Sequence, residues 1–152
     1  MGTWLLGLLM LSLMGCGLST PTFPDGDLAK LVPPETPNWH LVCPPGLCTA
    51  AKAASPTFAL SPDALLDVVR RVAAAQPRTT LVAERTAERR LDYVQLTRFL
   101  RFIDSISIAV VPLPEGRSGI VMYSHSNLGR SDLGANRARV EEWLAAIAAA
   151  AG

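Results

Sequence analysis

The sequence predicts an α+β fold, a two-layer sandwich in which a four-stranded antiparallel meander is flanked by an N-terminal and a C-terminal helix. Three observations predict it: a capped helical pattern near residue 61, four short β-type runs between residues 79 and 126, and a helical stripe near the C-terminus. An apolar helix stripe and the apolar face of a sheet bury each other most simply as two layers. We therefore expect one domain over residues 46–152.

The first helix is predicted to begin after Ser61, whose hydroxyl is a suitable N-cap. Pro62 then occupies the first helical position, and Asp63 lies near the positive end of the helix dipole. Residues that recur at helical spacing form one apolar face, namely Leu65, Leu66, Val68, Val69 and Val72. Pro77 follows the end of this pattern, so we expect the helix to stop before it.

Four segments alternate or are rich in β-branched residues, as expected of strands: 79–84, 90–97, 105–111 and 119–126. Residues 112–118 predict a hairpin loop between the last two. A series of arginines within and beside these segments predicts a solvated sheet face interleaved with acids, with lipid-headgroup contact as a second interpretation: Arg85, Arg89, Arg90, Arg98 and Arg101.

The C-terminal helix is predicted from a stripe of residues at helical spacing: Leu133, Arg137, Val140, Trp143, Leu144 and Ile147. Arg137 lies within this stripe, so its guanidinium is predicted to be buried or half-buried. A buried guanidinium needs a carboxylate or an anionic ligand, and Asp132 or Asp104 is the expected partner. Arg139 is predicted to reach solvent and to matter less.

The N-terminus predicts export and a lipid anchor. Residues 1–15 contain an apolar run of signal-peptide length, and Leu13-Met14-Gly15-Cys16 resembles a bacterial lipobox. Cleavage before Cys16 would leave a lipidated cysteine, whose two or more acyl chains hold a protein stably on a membrane. Gly17 is not the aspartate typical of inner-membrane retention, which favours the periplasmic face of the outer membrane. An ordinary secretory signal and an uncleaved anchor are the alternatives.

Residues 16–45 are rich in proline and lack periodicity, which predicts an extended tether between anchor and domain. Trp39 and Leu41 are expected to dock its end. Once Cys16 is lipidated, Cys43 and Cys48 remain, and an even count in an oxidising compartment predicts a disulfide. Two free thiols or half of a metal site are the alternatives. A metal site needs more ligands than these, and only His40 lies nearby.

Acidic and basic side chains nearly cancel, with 14 Lys and Arg against 13 Asp and Glu. A nucleic-acid binder would show a strong basic excess, so none is expected as a partner. Neither a Gly-x-Ser-x-Gly elbow nor a His-Glu-x-x-His pair occurs. On a strand, His125 points away from Ser124 and Ser126, so these three residues form no catalytic dyad. We expect no enzyme activity, cofactor or metal.

The run from Ser124 to Arg139 resembles the C-terminal signature of the Domain of Unknown Function 1499 family, Arg-Ser-x-Ser-Arg-x-Gly-x-Ser-Asp-x-Gly-x-Asn-Arg-x-Arg. The segment from Cys43 to Cys48 resembles the family's Cys-Pro-x-x-x-x-Cys element, and Phe102-Ile103-Asp104-Ser105 resembles its Phe-x-Asp-Asp element. The resemblance covers residues 43–147 and implies a fold but no activity. Tyr123 and Asn127 stand where the family has arginines.

One polar cluster is therefore the candidate site, and it is predicted from residues around the last strand and helix: Asp104, Ser124, Ser126, Ser131, Asp132, Asn136, Arg137 and Arg139. The expected function is that of a membrane-anchored envelope lipoprotein acting as a non-enzymatic binding or structural module, with an envelope protein as its partner. The alternative is that the Ser131–Arg139 region binds a small anionic ligand or lipid headgroup. A hydrolase is the third class considered.

Overall fold

The computed structural model describes residues 19–152, so the predicted signal peptide and Cys16 lie outside the described residues. Within this part of the chain there are two α-helices, Pro62–Ala74 (α1) and Ala135–Ala151 (α2). Seven strands accompany them: Trp39–Cys43 (β1), Ala53–Ala54 (β2), Thr57–Phe58 (β3), Thr79–Arg85 (β4), Arg90–Leu96 (β5), Ile103–Pro112 (β6) and Ser118–Ser126 (β7). Neither helix of residues 19–152 has the length and apolar character needed to cross a bilayer.

All seven strands belong to one mostly antiparallel sheet, in the order β2-β1-β7-β6-β5-β4, with β3 also pairing with β7. The predicted meander is present as β4 to β7. The sheet nevertheless has seven strands, three more than the sequence predicted. Strand β1 extends it by pairing antiparallel with β7, Leu41 opposite Tyr123. Pro37 and Pro44 flank this strand, and a proline-rich segment without periodicity predicts an extended tether rather than a strand paired within the sheet.

The first helix begins as predicted. The Ser61 hydroxyl accepts a hydrogen bond from the Ala64 amide at 3.3 Å, and Pro62 opens the helix. The predicted apolar face packs on the sheet beside α2, because alternate residues of the central strands point toward both helices. Those strand residues are fully buried: Leu91, Ile106, Ile108, Ile120 and Met122. This layer is the main hydrophobic core.

The opposite face of the sheet is covered by the N-terminal segment, which is not the free tether that the prolines predicted. Leu28 is only 2% exposed and packs with Leu41, Val121 and Tyr123 of the sheet. The Trp39 indole donates to the Pro34 carbonyl at 2.9 Å. Residues 19–45 therefore form part of the domain, because β6 and β7 expose apolar side chains on this face that the two helices cannot reach.

An ion pair between neighbouring side chains of β5 fastens this segment. Arg90 and Asp92 are 1% and 0% exposed, and the Arg90 Nε donates to an Asp92 oxygen at 2.8 Å. The other Arg90 nitrogens donate to the carbonyls of Pro24 and Gly26 at 2.8 and 3.1 Å. Ser107 completes the cluster by donating to Asp92 at 2.6 Å. The prediction that Arg90 is solvated is therefore wrong, because the N-terminal segment lies over it.

The predicted disulfide is confirmed, since Cys43 at the end of β1 is bonded to Cys48. Cys43 is buried in the layer between sheet and N-terminal segment. The loop that the bond closes lies against β7, where a Cβ on Gly119 would come within 2.5 Å of the Pro44 side chain. The absence of a side chain at Gly119 is what lets this loop approach the sheet.

Reduction of the Cys43–Cys48 bond should lower the free energy of unfolding by about 2 kcal/mol, the value expected for a short closed loop from unfolded-state entropy. Denaturant titration of the protein with and without reductant measures the difference. A Cys43→Ala/Cys48→Ala variant should be insensitive to the reductant. Two freely alkylated thiols in non-reduced protein from its own compartment would contradict the bond.

Candidate functional site

The candidate polar residues converge where β6 begins, β7 ends and α2 starts. Ser124 and Ser126 point to the helix side of the sheet, where both contact Asn136 of α2. His125 points to the other side, where its ring stacks on Tyr123 at 5.0 Å and its Nε2 lies 3.1 Å from the Thr22 carbonyl oxygen. The predicted separation of His125 from both serines is what the geometry shows.

Asn136 is the centre of this cluster and is fully buried in the first turn of α2. Its side-chain nitrogen donates to the Asn38 carbonyl at 3.0 Å and to an Asp132 oxygen at 2.7 Å. Its side-chain oxygen accepts from the Ser124 hydroxyl at 2.7 Å. One amide thus joins the helix, the end of β7, the approach to β1 and the loop between β7 and α2.

Arg139, not Arg137, is the buried arginine of this helix. Its side chain is 7% exposed, and Nη2 donates to Asp104 of β6 at 2.6 Å, whose own side chain is 2% exposed. Nε donates to the Gln95 amide oxygen at 2.6 Å. Nη1 donates to Ser124 and to Asn136 at 2.9 and 2.7 Å. Four hydrogen bonds within the protein therefore occupy the guanidinium.

The predicted burial of Arg137 is wrong. Its side chain is 69% exposed and pairs with Glu141, one helical turn further along. The predicted inward stripe begins with Leu133, and that starting point is the source of the error. Leu133 precedes the helix and is 97% exposed. Asn136 is the first inward residue instead, and this places Arg139 over the sheet.

Asp132 binds backbone amides at the start of α2 rather than pairing with an arginine. Its carboxylate accepts from the amides of Gly134 and Asn136 at 3.1 and 2.9 Å. Burial alone would raise the pKa of Asp132, but these hydrogen bonds outweigh it and hold the pKa below its usual value. Ser131 remains at the surface, where its hydroxyl accepts from the Leu133 amide at 3.3 Å.

Arg137 faces an open cleft of about 530 Å³ on the surface between α2, β1 and β2. Lys52 reaches into the same cleft, with its ammonium 3.7 Å from the centre of the Trp39 ring and 2.7 Å from the Trp39 carbonyl oxygen. His40 lies at the base. Burial lowers the pKa of His40, and the positive charges of Lys52 and Arg137 lower it further. The cleft also contains the carboxylate of Glu141.

The arrangement at the end of β7 is a closed network. Every buried side-chain nitrogen or oxygen in residues 19–152 has a hydrogen-bond partner. No three His, Cys, Asp or Glu side chains in that part of the chain converge as a metal site would require. Of the eight predicted residues, the structure joins six, whereas Ser131 and Arg137 point away from the network.

Two members of this network were missed by the sequence reasoning. Asn38 donates to the carbonyls of Ser126 and Gly129 at 3.2 and 2.8 Å, which fixes the loop after β7. Gln95 lies on the helix side of β5, and alternation already placed it on one face with Leu91. A polar residue on an otherwise apolar strand face was the available signal for Gln95, but no local pattern marks Asn38.

Replacement of Arg139 by alanine should cost roughly 3–5 kcal/mol of stability, because it leaves the buried Asp104 carboxylate without its partner. Replacement of Arg137 by alanine should leave stability unchanged within error, because water solvates both Arg137 and Glu141. Chemical denaturation of the two matched variants measures the contrast. Equal losses would mean that Arg139 is not the residue that holds α2 on the sheet.

Comparisons with known proteins identify the family of this chain. The search of curated proteins found no match. Among solved structures, a protein of Nitrosospira multiformis is similar at 14% identity and a TM-score of 0.48, covering 64% of this chain and 92% of that one. The model of the family described as "Protein of unknown function (DUF1499)" matches residues 33–147. The chain therefore belongs to the DUF1499 family.

Proposed function

We propose that this protein is a lipoprotein of the bacterial cell envelope, anchored through Cys16, whose domain is a non-enzymatic structural or binding module. The anchor rests on the apolar run before Leu13-Met14-Gly15-Cys16. The Cys43–Cys48 disulfide supports an oxidising compartment, since such bonds are rare in reducing ones. Because Gly17 follows the cysteine, the periplasmic face of the outer membrane is the preferred location in a cell that has one.

The non-enzymatic role rests on one observation, the occupation of the Arg139 guanidinium by Asp104, Gln95, Ser124 and Asn136. A catalytic or anion-binding arginine must offer donors to its substrate, whereas the donors of Arg139 already serve the fold. The Ser124–Arg139 region then works as a fastening that holds α2 and the preceding loop in place. Its partner would be the membrane through the lipid and a protein of the envelope.

Metabolic labelling with a palmitate analogue should mark the wild-type protein and leave Cys16→Ala unmarked, because the acyl chains would attach to and beside that cysteine. Cys48→Ala is a matched control that removes a different sulfur and should label normally. In-gel detection after immunoprecipitation gives the result. Equal labelling of wild type and Cys16→Ala would show that the sequence around residue 16 is not a lipobox.

The second candidate function is binding of a small anionic ligand or lipid headgroup near the start of α2. The observation that favours it is the cleft in which Lys52 and Arg137 both present cations. The Arg137–Glu141 pair weighs against it, because an anion would have to compete with that carboxylate. The predicted site is thereby shifted from Arg139 and Asn136, which face the interior, toward Arg137, Ser131 and Lys52.

Under this second candidate, inorganic phosphate should raise the melting temperature of wild type in a concentration-dependent way, as any ligand of the folded state does. The Lys52→Gln/Arg137→Gln variant should lose the rise. Arg89→Gln/Arg117→Gln removes the same net charge from other surfaces and should keep it. An unchanged wild-type melting temperature, with chloride at matched ionic strength as reference, would exclude phosphate binding.

A further inference from the structure

One end of the domain, called the apolar end below, carries exposed apolar side chains. Large apolar side chains protrude from the loop between β5 and β6 and from the loop between β7 and α2: Phe99, Leu100, Phe102, Leu128 and Leu133. Phe99 is 83% and Leu133 97% exposed. A groove of about 620 Å³ separates the two loops. An apolar patch of this kind on a soluble domain marks a contact surface.

The pairing of the strands brings the two loops together. Leu96 at the end of β5 pairs with Ile103 at the start of β6, and Asp104 pairs with Ser126 at the end of β7. The β6–β7 hairpin around Glu115 therefore lies at the other end of the sheet. The apolar end is thus the tip of the sheet next to the Arg139 network, in which Arg139 binds Gln95 near the end of β5 and Asp104 near the start of β6.

The described chain also begins at this end. The Thr22 amide and hydroxyl donate to the Asn127 side chain at 2.9 and 3.0 Å, and Asn127 in turn donates to the Ile103 carbonyl at 3.0 Å. From Thr22 the segment runs away toward Pro24 and Gly26, where Arg90 holds it. The segment therefore meets the domain beside the apolar loops, where Pro21 lies close to Arg101 and Ile103.

Few residues separate this attachment point from the proposed anchor. Six steps of chain lead from Cys16 to Thr22, which span about 20 Å at most when fully extended. A freely moving tether that ended at residue 45 would have allowed the domain to drift far from the bilayer. A segment fixed from Thr22 onward keeps the apolar end within reach of the bilayer surface.

Cationic side chains surround the apolar residues. Arg98 and Arg101 flank Phe99 and Leu100 in one loop, and Arg130 follows Leu128 in the other; all three arginines are exposed. The Arg98 guanidinium lies 5.4 Å from the centre of the Phe99 ring. Apolar side chains that protrude among arginines suit the headgroup region of an anionic membrane, where the apolar groups insert and the cations meet phosphates.

From these observations we infer that the apolar end docks on the anionic bilayer that carries the lipid anchor. This inference rests on the proposed lipidation of Cys16. The docked domain then stands with its β6–β7 hairpin pointing away from the membrane.

The test uses the full-length lipoprotein, purified from its own membranes and reconstituted into vesicles of phosphatidylethanolamine and phosphatidylglycerol. An environment-sensitive thiol probe is attached at Leu100→Cys or, as a control, at Glu115→Cys. The probe at position 100 should emit at shorter wavelength than in water and be quenched by lipids with brominated acyl chains. The probe at position 115 should do neither. Equal behaviour at both positions would overturn the inference.

Vesicle flotation separates this inference from the anchor itself. Protein that does not float with vesicles contradicts both the lipid anchor and the docking that depends on it. If the protein floats with the vesicles but the probe at position 100 emits as it does in water, the lipid anchor stands and the docking inference is overturned. A blue-shifted probe that brominated lipids do not quench means that the protein's own acyl chains fill the groove. An emission shift that grows with the protein-to-lipid ratio means that a second copy of the protein fills the groove. Either of these two results overturns bilayer docking.

Charge-matched variants test the role of the arginines. In the Leu100→Cys background, Arg98→Gln/Arg101→Gln should lower the ratio of docked to undocked probe about fivefold per arginine. The matched control Arg89→Gln/Arg117→Gln removes two charges from the opposite end and should leave that ratio unchanged. Equal effects of the two variants would mean that net charge, not this surface, governs the interaction, and would overturn the inference.

Discussion

The buried ion pair between Arg139 and Asp104 is the interaction on which the position of α2 in this domain depends. Both side chains are removed from water, so each requires the other and a full set of hydrogen bonds. Gln95, Ser124 and Asn136 supply the remaining partners of the guanidinium. The requirement for all of these contacts together fixes the position of α2 on the sheet and the path of the loop before it.

A second buried ion pair, Arg90–Asp92, holds the N-terminal segment on the opposite face of the sheet. Arg90 holds two carbonyls of the N-terminal segment, much as Arg139 holds α2. Each covering of the sheet is thus fastened by one arginine that bridges to a buried carboxylate. Under the proposed lipid anchor at Cys16, this arrangement would set the domain close to the membrane, because the segment becomes part of the domain at Thr22.

Much of the fold could be predicted from the sequence because α1 and the strands β4 to β7 carry local signals. The Ser61 cap and the alternation of residues 105–111 specify their elements without help from distant residues. Strand β1 could not be predicted in this way. Trp39–Cys43 lies between prolines and extends the sheet only because β7 offers it a free edge and buried space on both faces.

For the candidate site, the sequence by itself determined which residue types would gather and that His125 would face away from both serines, because strand alternation is a local property. Tertiary structure alone decided which arginine is buried. Arg137 and Arg139 both flank the apolar stripe of α2, and helical spacing does not say which flank meets the sheet. Asp104 and Gln95 lie on the Arg139 side, whereas solvent lies on the other, so the choice depends on partners distant in sequence.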